Sequence, residues 1–168
     1  MTSADLLADA FGRIRDTVHQ VVDGLSPEEL TFRPEGTANS IAWLLWHLTR
    51  IQDDHIAGVA GTDQVWASSS WAERFGLPLD GSDTGYGHSS DQVAAVTGDA
   101  ESLGSYHDAV HETTLRYLGT LTDADLDRVV DERWDPPVTL GVRLVSVIAD
   151  DLQHAGQASY VRGILECR

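Results

Sequence analysis

Ser40-Ile41-Ala42-Trp43-Leu44-Leu45-Trp46-His47-Leu48-Thr49-Arg50-Ile51 is the stretch whose reading decides the fold. Ile41, Leu44, Leu45, Leu48 and Ile51 recur at three- and four-residue spacing, the period of one face of an α-helix. Asn39 or Ser40 supplies an oxygen for the orphan amides of the first turn, and Gly58 and Gly61 mark the end. The spacing therefore predicts a helix over about 40–60. His47 interrupts its apolar run, and no segment reaches the ~20 apolar residues that a bilayer requires.

Working outward, residues 3–23 place Leu6, Leu7, Ala10, Phe11, Ile14, Val18, Val21 and Val22 at helical spacing, with Thr2 or Ser3 as cap and Gly24 as stop. Ser26-Pro27-Glu28-Glu29 is a helix start that Arg33-Pro34-Glu35-Gly36 cuts short. Residues 61–92 are rich in Gly, Ser and Asp with Trp66, Trp71, Phe75 and Tyr86 interspersed, a long irregular connection with a short helix at 70–75. Connections this long in a compact domain often serve function. A third long helix runs from Asp91 or Thr97 to Leu121, in one piece or broken at Gly98 and Gly104. Arg133-Trp134-Asp135-Pro136-Pro137 reads as extended, and no stretch shows strand alternation. A last helix spans 140–165, with Leu144, Val147, Ile148, Ala155, Ala158 and Val161 inward. Four long helices joined by long crossovers predict an all-α four-helix bundle, and 168 residues suit a single domain over 1–168.

Twenty-seven acidic against eleven basic residues give a formal charge of −16, which disfavours nucleic acid and anionic membrane as partners. The N-terminus has no basic region before an apolar run, so the expected location is cytoplasmic. Cys167 is the only cysteine and reads as a tail residue, which excludes internal disulfides and Cys-rich zinc sites. A metal site must then use His, Asp or Glu.

Asp150 and His154, four apart on the last helix, share a face at the edge of its apolar stripe. A carboxylate and an imidazole there are costly unless paired or metal-bound. Two ligands one turn apart grip a divalent ion, and a third from a facing helix leaves a position open. Taken alone, the pair also fits an ordinary helical ion pair. Asp151, nearer the middle of the stripe, is a rival ligand or orients a ligand histidine from behind. His47 flanks the stripe of the second long helix, where a lone histidine also serves as a satisfied core residue. His55 lies eight residues on, ~12 Å along the axis, so one of the two suits a metal and the other a substrate. His107-Asp108-Ala109-Val110-His111 offers another pair four apart, but among Glu101, Asp108 and Glu112 it reads as a solvated face. His19 and His88 have no local partner. Phosphate-binding Gly-rich loops, nucleophile elbows and His-Glu-x-x-His are absent from the sequence.

At these residues the chain resembles the DinB superfamily, specifically its actinobacterial branch related to mycothiol-dependent enzymes. Three segments carry the likeness: Leu30-Thr31-Phe32-Arg33-Pro34 followed by 39–48, then Asp53-Asp54-His55, and the last-helix run Asp150-Asp151-Leu152-Gln153-His154-Ala155-Gly156-Gln157. The resemblance implies a bundle with a divalent metal, often zinc or nickel, held by three side chains near one end. The histidine, carboxylate, histidine pattern of the maleylpyruvate isomerase branch falls on His47, Asp150 and His154, with Asp where Glu or His is usual. It also implies activation of a low-molecular-weight thiol such as mycothiol, and pairing into a homodimer. The second, C-terminal domain of the full isomerase is missing from this chain, which argues against maleylpyruvate isomerisation itself.

The resulting expectation is a metal-dependent thiol S-transferase acting on a small-molecule thiol and an electrophile. His47, Asp150 and His154 hold the ion, and Asp151 or His55 acts as general base or orients the thiol. The alternatives are a non-catalytic or regulatory metal-binding bundle, since fold does not imply function, and a metal-dependent hydrolase using the same ligands.

Overall fold

The structure, a computed structural model, describes residues 1–167. Each long apolar-periodic segment begins at a side-chain cap. Thr2 and Asp5 cap each other's amides at the start of α1 (Ser3–Val22), and Ser26 and Glu29 do the same for the short α2 (Pro27–Leu30). Ser40 Oγ accepts from the Trp43 amide to open α3 (Ile41–Ala60), which Gly61 ends in the left-handed conformation at φ 69°.

The long connection after α3 contains two short helices, α4 (Val65–Ser68) and α5 (Trp71–Phe75). The predicted third long helix is broken, as one of its two readings held. Ser90–Ala95 forms α6, residues 96–99 interrupt it, and Asp99 caps α7 (Ala100–Leu118). Gly104 does not break α7; His19 packs beside it, where a Cβ would lie 3.4 Å from the ring. The segment 133–137, expected to be extended, instead forms the bend of a small antiparallel hairpin that the sequence did not reveal, β1 (Val129–Asp131) with β2 (Val138–Thr139). Strands of three and two residues are too short to display alternation. Thr139 then caps α8 (Leu140–Glu166), the longest helix.

α1, α3, α7 and α8 form the expected all-α bundle. α3 packs on α8 and α7, and α1 packs on α7 and α8, which leaves α1 and α3 diagonally opposite. Arg162 of α8 closes the C-terminal end of α1 by donating through Nη1 to the carbonyls of Gln20, Val21 and Asp23. α3 differs from an ordinary one-faced bundle helix: every residue from Ser40 to Arg50 is buried. Its bundle side meets α7 and α8. The segment after it covers the other side, where Trp66 packs on Trp46 and Tyr106.

The solvated face expected at His107 and His111 is a correction. Both are buried, at 0% and 7% exposure. That face of α7 turns into the bundle, where His107 Nδ1 donates to Thr49 Oγ1 at 3.1 Å. Burial lowers the pKa of His107 to about 3, so it is neutral at physiological pH. The two rings stack with centroids 6.4 Å apart instead of converging on a point. Among the described residues, no helix is long and apolar enough to cross a membrane.

Candidate metal centre

α3 and α8 run antiparallel along their contact, His47 meeting Asp150 and His154 while His55 meets Arg143. His47 Nε2 lies 4.0 Å from Asp150 Oδ2, and His154 Nε2 lies 3.6 Å from Asp150 Oδ1. One ligand atom from each of the three falls within 4.8 Å of the others, the one such group of three or more among the described residues. A tetrahedral ion with bonds of ~2.0–2.2 Å separates its ligand atoms by about 3.3–3.5 Å, so small side-chain movements close this triangle.

Each imidazole is held through the nitrogen that points away from the cluster. His47 Nδ1 donates to the Thr84 carbonyl, and His154 Nδ1 donates to Gln157 Oε1 at 2.8 Å. Both rings therefore carry their proton on Nδ1 and present the Nε2 lone pair inward, as metal-ligating histidines do. Burial lowers the pKa of His47, against the Thr84 carbonyl that raises it, which favours the neutral, ligating form. Asp150 Oδ2 is buried without a hydrogen-bond partner. Two imidazole nitrogens and an unsatisfied carboxylate oxygen suit a divalent ion. The burial is graded: His47 is 6% exposed at its side chain, His154 18% and Asp150 37%, so the cluster is closed on the α3 side and open above α8.

A strap over residues 83–88 positions His47. Arg50 Nε donates to the Asp83 carbonyl, and Asp83 Oδ1 accepts from the Gly85 amide and from His88. Trp43 Nε1, which can only donate, reaches His88 Nδ1 at 3.0 Å, so His88 carries its proton on Nε2 toward Asp83. Trp43 also stacks on His47 at a centroid distance of 4.6 Å. Gly85 has φ 91°, and a Cβ there would lie 2.8 Å from His47 Nδ1 and 3.1 Å from Trp46. Gly85→Ala is expected to displace the ring or the strap and to lower metal affinity about 10–100-fold, the range for losing an orienting partner. Competition with a chromophoric chelator measures this; an affinity within twofold of wild type would refute the strap's role.

The other two candidate residues lie outside the triangle. Asp151 is fully buried, and neither carboxylate oxygen has a hydrogen-bond partner. Burial, then the neighbouring Asp150 charge, pushes its pKa well above the ordinary carboxylate range. His55 sits about two turns along α3, its Nδ1 facing Arg143 Nη1 at 3.3 Å. Thr84 and Gly85 were not found from sequence, and His88, read there as having no local partner, bonds to Asp83 five residues before it. The glycine pair at 85 and 87 was the one signal, and it reads equally well as an ordinary loop.

The sequence profile of the DinB superfamily matches residues 10–158. The chain belongs to the DinB superfamily. A crystal structure of a conserved protein from Enterococcus faecalis superimposes on this DinB domain with a TM-score of 0.93 at 30% sequence identity, covering 100% of this chain and 99% of that one. No curated protein matches the chain. DinB domains often bind metal, and the His47, Asp150 and His154 cluster of this one could hold a divalent ion.

Proposed function

We propose that this DinB domain is a metal-dependent thiol S-transferase of the mycothiol-related branch, one domain over 1–168 that works in the cytoplasm, as a homodimer. Zinc or nickel is the ion, and mycothiol or a similar thiol is the cosubstrate. The observation that carries the reading is the pair of imidazoles pinned through Nδ1, whose Nε2 atoms converge with Asp150 beneath an open side. Such a set would hold a divalent ion within reach of a ligand arriving from the open side.

A divalent ion held by His47, Asp150 and His154 would supply the positive charge that lowers a thiol's pKa into the neutral range. The chain's own residues do the rest. Thr84 and Gln157 fix the tautomers of the two histidines. An apolar cleft of about 590 Å³ beside the cluster, lined by Leu44, Gln153, Gly156, Gln157 and Tyr160, takes the less polar part of a reactant. The thiol proton leaves to solvent on the open side. The sulfur pair then forms the new S–C bond, and the leaving group departs with the electrons of the broken one. His55 has its Nδ1 lone pair directed at Arg143, so it orients a ligand through Nε2–H instead of taking the thiol proton. Asp151, fully buried beside Asp150 in the chain, has no exposed surface with which to reach a reactant, so in this reading its part is to orient the ligands from behind.

The test is metal content by plasma mass spectrometry on untagged protein, followed by thiol consumption with an alkylating electrophile before and after chelation. Stoichiometric metal and chelator-sensitive S-alkylation are expected. Absence of metal after loading with zinc or nickel would leave a non-catalytic bundle, and ester or amide cleavage without thiol consumption would make it a hydrolase.

A further inference from the structure

The chain has no lysine, and its net charge of −16 repels anions at long range. Against that background, three of its eleven basic residues line one cleft. Arg128, Arg133 and Arg143 surround about 570 Å³ together with Asp54, His55 and Asp131, a volume suited to a small ligand.

The charges there do not cancel. Asp131 is shared by two guanidiniums: Arg133 grips it through Nε at 2.9 Å and Nη2 at 2.8 Å, and Arg143 Nη2 reaches it at 3.0 Å. Arg128 bonds only to neutral groups, the Val59 carbonyl and the Tyr117 hydroxyl, and among the described residues no carboxylate lies within 4 Å of it. Asp54 is engaged by the Gln64 side-chain amide at 2.7 Å. His55 adds no charge, because burial and then the Arg143 guanidinium lower its pKa. Among the lining residues, three guanidiniums against two carboxylates leave one positive charge beside forked donors, with Asp125 outside the lining acting on Arg128 only at longer range.

The position of the cleft gives this charge a meaning. Asp54 is seven residues after His47 on α3, and Arg143 is seven before Asp150 on α8. Seven residues return a helix to nearly the same face ~10.5 Å along its axis. On two antiparallel helices the same offset places the arginine cleft two turns along one seam from His47, Asp150 and His154. The apolar cleft beside Leu44 and Tyr160 lies at the other end of that seam.

We infer that the cleft of Arg128, Arg133 and Arg143 is a carboxylate-binding site that receives the acidic end of a substrate whose reacting end lies at the His47, Asp150 and His154 cluster. A single carboxylate matches the single excess charge, where a phosphate dianion would overfill it. The site as such rests on the arginine geometry alone; its role as a substrate subsite rests on the transferase reading.

Two titrations separate these claims. In the first, metal-free protein is titrated with acetate and with inorganic phosphate at constant ionic strength, following arginine Nε–Hε signals by NMR. Acetate is expected to shift Arg128 and Arg143 saturably, no more weakly than phosphate. Arg128→Gln, a substitution at an exposed side chain, is expected to weaken acetate binding at least about tenfold, as loss of a charged hydrogen bond does. No saturable shift, equal affinity in Arg128→Gln, or tighter binding of phosphate would overturn the carboxylate site. In the second, zinc-loaded protein is titrated calorimetrically with ω-mercaptoalkanoates of increasing length. A maximum at the length that spans ~10.5 Å, abolished by Arg128→Gln, supports the subsite. A flat length series with the acetate shifts intact overturns the link between the two sites and leaves the carboxylate site standing. Failure of zinc to bind, with the same acetate shifts, refutes the metal reading alone.

Discussion

Replacing His154 with alanine is expected to take the metal content from about one ion per chain to near zero and to abolish thiol transfer, with the bundle intact. His154 supplies one of three ligand atoms, and only His47 Nε2 and an Asp150 oxygen remain without it. Losing an orienting partner alone costs about 10–100-fold in affinity, so loss of a ligand exceeds that. Unfolding does not confound the result. His154 is partly exposed on α8, and its one other polar partner is Gln157, an exposed neighbour on the same helix. Its side chain is 18% exposed and meets the rings of His47 and Trp43 edge-on, so the change is expected to cost about 1 kcal/mol, the centre of the range for single substitutions, which leaves the bundle folded. Metal analysis beside far-ultraviolet circular dichroism reads both quantities. Full metal content or full transfer activity in a folded His154→Ala protein would sink the proposed centre.

Asp53→Ala is expected to produce the largest loss of stability. Asp53 is 3% exposed; it accepts hydrogen bonds from the amides of Val65 and Trp66 at 2.8 Å and the Tyr106 hydroxyl at 2.9 Å, and it pairs with the Arg50 guanidinium at 3.5 Å. Burial raises its pKa while the two amides lower it, and each of these four neighbours offers a hydrogen or a positive charge, an arrangement that suits an ionised carboxylate. Its oxygens also cap α4, whose own preceding residue, Gln64, makes no side-chain cap. Alanine would leave the fully buried Arg50 charge uncompensated and three donors unsatisfied. Breaking a buried pair in this way costs ~3–5 kcal/mol, about 10 °C or more in Tm for a domain of this size. Arg50 also holds the Asp83 carbonyl, so metal affinity should fall in the same variant. Asp53→Asn, which keeps an acceptor but not the charge, should recover part of the loss. A Tm within about 2 °C of wild type for Asp53→Ala would show that the network is not a stability element.

The bundle was legible because its evidence is periodic. The stripes of α1, α3 and α8 and the caps at Thr2, Ser26 and Ser40 are local properties, and the structure uses them, except that Leu6 of the α1 stripe is 57% exposed. The three gathered residues were legible as candidates for a related reason. Asp150 and His154 are one turn apart at a stripe edge, and His47 breaks an apolar run on the helix that faces them. His107 and His111 show the limit of that method: neighbouring carboxylates suggested solvent, but the packing of α7 decided the matter. The strap was illegible for a stronger reason. Its conformation is fixed by Arg50, Trp43 and His47, which lie 33 to 45 positions away from their partners in the chain.

One consequence of the strap concerns which positions are free to vary. The oxygen that orients His47 belongs to the backbone of residue 84, and any amino acid supplies it. The neighbouring position supplies no atom to that bond, yet it has no room for a methyl group. Selection on the centre therefore falls on residue 85 and passes over residue 84. A comparison of side chains among related proteins would record the constraint one position away from the group that exerts it.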